Sequence, residues 1–397
     1  MIAVAGGVYA ERCLEPFWDD VYGSGGRAAA VIASTVSDVA LHTYRAEGLE
    51  DGFANLAAVY RFAIAGPKVP GLGISFDYLH SLADPRIVPR RELIEEHASF
   101  EVQDDVVLRF GMMEGSAKVT ARRAVYDPQS AFSPQPFHRN GSSAQQLALI
   151  LNSLEASRLT SKTAPDEIID ALISDHEAEV VVLKQGGKGA IVATRKSRGV
   201  IPAYRSDSVW KIGSGDVFSA AFTLHWAIED KSPEEAADLA SRSVSFYVST
   251  RSLAVPPEAE LRRIVDRPIV PGKGRIYIAG PFFNLGELWM IEEIRSQLLH
   301  MGVDVFSPLH DVGRGPAHKV AKADLAGLDG CDVVLAVLNG GDAGTIFEIG
   351  YAVARGKPVV ALAQNIRPED MKMTIGSGCQ VADDLVSAIY RAVWALP

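Results

Sequence analysis

Cysteine is scarce in this chain: three in 397 residues, Cys13, Cys331 and Cys379, far apart and odd in number. That excludes a disulfide framework and metal-ligand spacing, and it predicts a reducing, cytoplasmic setting. Basic residues are also short. Lys and Arg number 39 against 49 Asp and Glu, a formal charge of −10, so no nucleic-acid partner is expected. A small anionic ligand stays compatible with this charge, because glycine loops and helix N-termini bind phosphate locally. No run of about 18 apolar residues exists, so no membrane-spanning helix and no membrane partner are expected. The opening Met1-Ile-Ala-Val-Ala-Gly-Gly lacks the basic start and long apolar stretch of a signal peptide, and reads as a buried strand. There is no internal repeat and no low-complexity segment.

What is present is the mixture of a soluble globular protein, 48% apolar and 22% charged, with a length that predicts two domains. Two short apolar strands run into glycine, at 2–7 and 275–280. Between them, residues 267–274 (Arg-Pro-Ile-Val-Pro-Gly-Lys-Gly) have the composition of a linker. The expected domains are therefore 1–266 and 275–397. In the first, strands at 180–183 and 190–194 flank a glycine turn, and helices are expected at 142–151, 218–229 and 233–250. In the second, strands at 276–279, 303–306, 333–337 and 358–361 alternate with helices at 288–300 and 346–355. Two α/β domains with mainly parallel sheets follow.

The sharpest motif of the first region is Gly213-Ser214-Gly215-Asp216, running directly into Val217-Phe218-Ser219. Glycines before a helix let backbone N–H groups converge on a phosphate. A carboxylate at the same helix start could take the proton of an attacking hydroxyl; the plainer alternative is a turn with a capping Asp216. Upstream, Asn152-x-x-Glu155 suits Mg²⁺ or its water shell, Gly186 opens the turn after the strand at 180–183, and Gly25-Gly26 lie at the head of a helix.

These motifs, in this order, resemble the PfkB/ribokinase family of sugar and nucleoside kinases. The resemblance implies a ribokinase-like αβα fold, ATP and Mg²⁺ as cofactors, and Asp216 as catalytic base. Gly213, Ser214 and Gly215 would form the anion hole, with Gly186 nearby, and Asn152 and Glu155 would serve the metal. Gly25, Gly26 and Glu11, the best match to an early sugar-binding aspartate, would hold the acceptor. Four positions depart from the family: Trp210 and Lys211 replace its Asp-Thr, Ala30 replaces an asparagine, and Glu11 replaces an aspartate. Since the aspartate of the Asp-Thr helps hold a monovalent cation in many members, Lys211 is expected to supply that charge itself.

In the second region, Ile276-Tyr277-Ile-Ala-Gly280-Pro-Phe282-Phe is a buried strand ending in a turn, which brings Tyr277, Gly280 and Phe282 to the ligand edge of the sheet. Asp324 follows, then Asp332, and then Asn339-Gly-Gly-Asp342-Ala-Gly-Thr345-Ile-Phe-Glu348 leading into a helix. Cleaving a C1′–N bond needs a carboxylate to meet the charge developing at C1′ and an acid for the leaving base. Glu348 is expected in the first helical turn, ionised by the helix dipole. The alternative is that Thr345-x-x-Glu348 is merely a capping box. His310 and His318 read as loop residues, and Ser377-Gly-Cys379 as a turn.

This region resembles the nucleoside 2-deoxyribosyltransferase family. That implies a smaller flavodoxin- or Rossmann-like αβα domain with Glu348 as nucleophile, Asp342 and Asp324 around sugar and base, and Tyr277 positioning the nucleophile. The same family includes nucleotide hydrolases, so transfer and hydrolysis both stay open. Together the two regions imply a bifunctional enzyme acting on a nucleoside, nucleotide or pentose. The alternative is one catalytic domain joined to a binding or oligomerisation module. A homo-oligomer is also implied.

Overall fold

The structure is a computed structural model that describes residues 2–130 and 132–397; Met1 and Ala131 lie outside the described residues. It divides into two compact units, one running to Ser206 and again over Trp210–Ile269, the other formed by Val270–Pro397 with Asp207–Val209. The segment expected as a linker is not uniform. Arg205 N–H donates to Arg267 O and Ile269 N–H to Ala203 O, so the chain is tied to the first unit up to Ile269. Both units are α/β, as the alternating pattern predicts.

The first unit is built on a nine-stranded sheet. Its centre is parallel: Ile2–Ala5 lies between Phe100–Phe110 and Val39–His42, and Ala117–Asp127, Ser143–Asn152 and Val180–Lys184 continue outward from Phe100–Phe110. Ala190–Thr194 and Arg198–Ile201 close that edge antiparallel. The helix expected at 142–151 is one of these strands. Residues Leu147, Ala148, Leu149, Ile150 and Leu151 are all buried, because a parallel strand covered on both faces is apolar throughout and shows no alternation. A four-stranded sheet (Trp18–Val21, Ala10–Glu15, Ser75–His80, Arg86–Val88) was not anticipated; it carries Glu11.

The second unit is a five-stranded parallel sheet in the order Asp304–Phe306, Arg275–Ala279, Val333–Val337, Val359–Leu362, Gln380–Ala382. The first strand in sequence thus lies between the second and third, a reversal of winding that opens a crevice at the carboxyl ends of the strands. Helices Leu285–His300 and Leu385–Trp394 pack on the core around Ile276, Ile278 and Leu335, and Ala343–Ala354 on that around Tyr277, Val334 and Ala336. Among the described residues no helix is long and apolar enough to cross a membrane.

Candidate active sites

In the first unit, Asp127, Asn152 and Lys184 are the last residues of three adjacent parallel strands, so they share one edge of the sheet. The helix Ser214–Phe222 starts there. Gly213 caps it in the left-handed conformation (φ 77°), and Asp216 is its third residue. Glycine is required at 213 for a second reason: a Cβ there would lie 2.1 Å from Arg27 Nε. Gly215 faces Lys184, whose Nζ would be 3.5 Å from a Cβ at that position, and Lys211 Nζ donates to Ser214 Oγ at 3.2 Å. Two ammonium groups therefore flank the residues of the expected anion hole.

Asp216 is not free. Its Oδ2 accepts from Arg27 Nη1 at 2.7 Å, and its Oδ1 accepts from Gln129 Nε2. Arg27, only 2% exposed, also bonds both oxygens of Glu11. The result is a buried carboxylate–guanidinium–carboxylate triad. Burial pushes the Glu11 carboxyl up, against the pull of Arg27. Removing one member of such a set costs about 3–5 kcal/mol, because a buried charge is left uncompensated. Arg27 was not singled out from the sequence, although a signal was there: it is a lone charge in Gly23-Ser-Gly-Gly-Arg27-Ala-Ala-Ala-Val-Ile.

Asp127 and Lys184 were also missed. Lys184 Nζ donates to Asp127 Oδ2 at 2.7 Å and Ser219 Oγ to the same oxygen at 2.8 Å. Asp127 Oδ1 is buried with no hydrogen-bond partner among the described residues. Burial, with repulsion from Asp127, pushes Glu155 up to about 7. The Asn152-x-x-Glu155 pair forms a reciprocal cap of the helix Ser153–Thr160, each side chain bonded to the other's backbone N–H at 2.9 Å. Of the expected acceptor residues, Gly25 meets a packing constraint of its own: a Cβ would lie 2.5 Å from Gly6 O. Gly26 is less tight, with Leu56 Cδ1 at 3.1 Å, and Gly186 stands in an open turn with φ +60°.

In the second unit, Tyr277 on the first strand and Glu348 on the helix after Val333–Val337 meet across the winding reversal. Tyr277 Oη donates to Glu348 Oε1 at 2.5 Å, and the Tyr277 ring stacks on Phe306 at 5.4 Å between centroids. The helix Ala343–Ala354 is capped by Asp342, whose Oδ2 accepts from Thr345 N at 2.8 Å and Thr345 Oγ1 at 2.9 Å. Thr345 is thus inside the helix, and the capping box Thr345-x-x-Glu348 does not form. Glu348 falls in the second turn rather than the first. The dipole stabilisation expected of a first-turn carboxylate is replaced by the opposite effect: burial, with the charges of Asp324 and Asp342, raises Glu348 to about 7, while the Tyr277 hydroxyl pulls it down. Asp324, on the helix Ala317–Asp329, is raised by burial and has its Oδ1 buried without a partner among the described residues. Gly280 fits a tight contact, its would-be Cβ 2.8 Å from Ile291 Cδ1, and Phe282 is half-buried beside it.

Comparison with known proteins accords with both halves. Residues 126–260 match the family described as pfkB family carbohydrate kinase, and residues 276–384 match nucleoside 2-deoxyribosyltransferase. No curated protein matches the chain. Among solved structures, ribokinase from Thermotoga maritima is 18% identical with a TM-score of 0.47, covering 66% of this chain and 98% of its own. Ribokinase from Giardia lamblia is 14% identical with a TM-score of 0.49, covering 66% and 98%. The two family matches thus place a pfkB-type carbohydrate kinase region before a nucleoside 2-deoxyribosyltransferase region, in that order.

Proposed function

We propose that the second domain breaks or exchanges the N-glycosidic bond of a nucleoside or nucleotide through Glu348. The observation that carries this is the pairing of a half-buried carboxylate with the Tyr277 hydroxyl beside Asp324 and Asp342. Glu348 attacks C1′, the C1′–N bond breaks, and the base leaves with the electron pair, protonated by a neighbouring acid. Asp324, whose neutral form burial favours, suits that step. Water or a second base then takes the glycosyl group from Glu348.

The first domain transfers the γ-phosphoryl group of ATP to a hydroxyl of a nucleoside or pentose, with Asp216 as base and Lys184 and Lys211 beside the phosphate. Among the described residues no three His, Cys, Asp or Glu side chains gather to hold a metal. Mg²⁺ would therefore arrive on the phosphates, and the unpaired Asp127 Oδ1 and Glu155 are the groups that fit it. It would neutralise charge on the transferring group. A second reading leaves the glycosidic domain as the sole catalyst, and the closure of Asp216 by Arg27 favours it.

Incubating the protein with a nucleoside panel, with and without ATP, and weighing the products separates these readings. Release of base without ATP supports the first assignment, and an added phosphate that requires ATP supports the second. We also propose, from the resembled families and the three scattered cysteines, a closed homo-oligomer in the cytoplasm; light scattering that finds an active monomer removes the oligomer.

A further inference from the structure

The guanidinium of Arg27 lies at the head of the helix that follows the Gly213-Ser-Gly215 turn. It packs against Gly213, at the start of the helix Ser214–Phe222, whose first-turn N–H groups have no partner within the helix. Meanwhile both oxygens of Asp216 are engaged, one by Arg27 at 2.7 Å and the other by Gln129. A general base needs a lone pair facing the hydroxyl it deprotonates. Each oxygen keeps a second lone pair, so release of Oδ2 by Arg27 is not the only route to the base, but it opens the side of Asp216 that Arg27 covers. Glu11, bonded through both oxygens, is an anchor that Arg27 need not leave.

We infer that Arg27 is a catalytic residue that closes Asp216 until the phosphoryl donor enters, then exchanges that carboxylate for phosphate oxygens, so that donor binding arms the base. The inference rests on the phosphoryl-transfer reading of this domain. Arginine suits the exchange because its planar fork can keep one edge on a carboxylate while the other takes a phosphate, which a lysine cannot do. Lys184 and Lys211 favour arrival of the anion. With Arg27 on the γ-phosphate of ATP, Asp216 Oδ2 accepts the proton of the acceptor hydroxyl. The acceptor oxygen bonds to the γ-phosphorus, the bond from that phosphorus to the β,γ-bridging oxygen breaks, and ADP leaves with the electron pair.

The test is a double-mutant cycle read by calorimetric titration of the full chain with pyrophosphate at fixed ionic strength. Asp216→Asn nearly preserves shape and frees Arg27, so the pyrophosphate Kd should fall at least fivefold. In a Glu11→Gln/Arg27→Met background, the same Asp216→Asn change should move Kd less than twofold. Should that background not fold, Glu11→Gln/Arg27→Gln takes its place, which likewise leaves no second buried carboxylate unpaired. Equal tightening in both backgrounds would mean that Asp216 merely repels the anion, and no tightening in either would mean that Arg27 makes no exchange; each result overturns the inference. The kinase reading fails separately, if the cycle behaves as expected but ATP phosphorylates no nucleoside or pentose.

Discussion

Tyr277 and Glu348 are 71 residues apart in the chain and 2.5 Å apart in space, joined by a hydrogen bond from the phenol to the carboxylate. The bond works against burial. Desolvation drives the Glu348 carboxyl up to about 7, and the Tyr277 hydroxyl pulls it down. Only the ionised carboxylate can attack C1′, so base release should rise with pH through about 7.

Tyr277→Phe tests that balance. Without the phenol the carboxyl rises further, so the midpoint of the ascending limb should move to higher pH. At pH 7 the rate should fall by roughly tenfold and recover in part as pH is raised. A pH–rate profile of base release reads this directly; a lower rate with an unmoved midpoint would assign Tyr277 to shape alone.

Gly25→Ala should destabilise the first domain. Gly25 N–H donates to Gly7 O at 2.9 Å, and an added Cβ would lie 2.5 Å from the rigid Gly6 carbonyl. Alanine's better helix propensity recovers about 1 kcal/mol, against an overpacking cost of about 1–3 kcal/mol and a lost close approach. Urea unfolding should show a net loss, while base release by the second domain persists. An unchanged midpoint would mean that the strand end shifts freely.

Asp216→Asn should abolish ATP-dependent phosphorylation and leave base release intact, since the two sites are built from separate units. Equal loss of both activities would argue for a shared site. Phosphorylation by the unaltered protein should also be independent of added K⁺, because Lys211, bonded to Ser214 Oγ at 3.2 Å, already places a fixed cation there. Strong activation by K⁺ would remove Lys211 from that role.

How far the sequence reveals these sites depends on the kind of signal each residue leaves. The apolar spacing of Pro233–Thr250 predicts a helix with the observed bounds, and Ser232 and Glu235 cap it. Residues 142–151, expected as helix, show no polar–apolar alternation to mark a strand; burial on both faces makes a strand of Ser143–Asn152. Glycine-rich motifs announced Asp216 and Glu348. Arg27, on the helix Gly23–Ala33, left only the signal of a lone charge in an apolar run, whereas Asp127 and Lys184 stayed hidden because their meaning lies in which strand ends become neighbours, a property of sheet order rather than of spacing. The same holds for the start of the helix carrying Glu348. Both Asp342 and Thr345 could cap it, and only the observed bonds from Thr345 to Asp342 decide between them.

That decision makes Glu348→Gln the cleanest test of the second domain. Since Asp342 caps the helix, Glu348 has no capping bond to lose. Glutamine keeps its volume and can still accept from the Tyr277 hydroxyl. It also removes a carboxyl that burial penalises when ionised, so stability at neutral pH should hold or rise slightly. Chemistry should not survive: an amide oxygen is a poor nucleophile and carries no charge to meet the cation forming at C1′. Base release should fall by three orders of magnitude or more, about 4 kcal/mol in barrier terms, with an unchanged melting temperature. The protein-bound glycosyl group, sought by mass spectrometry after rapid acid quench, should be found on Glu348 in the unaltered protein and be absent from the variant. A Glu348→Gln protein that releases base near the original rate would end the assignment. So would an unaltered protein that carries the glycosyl group on another residue.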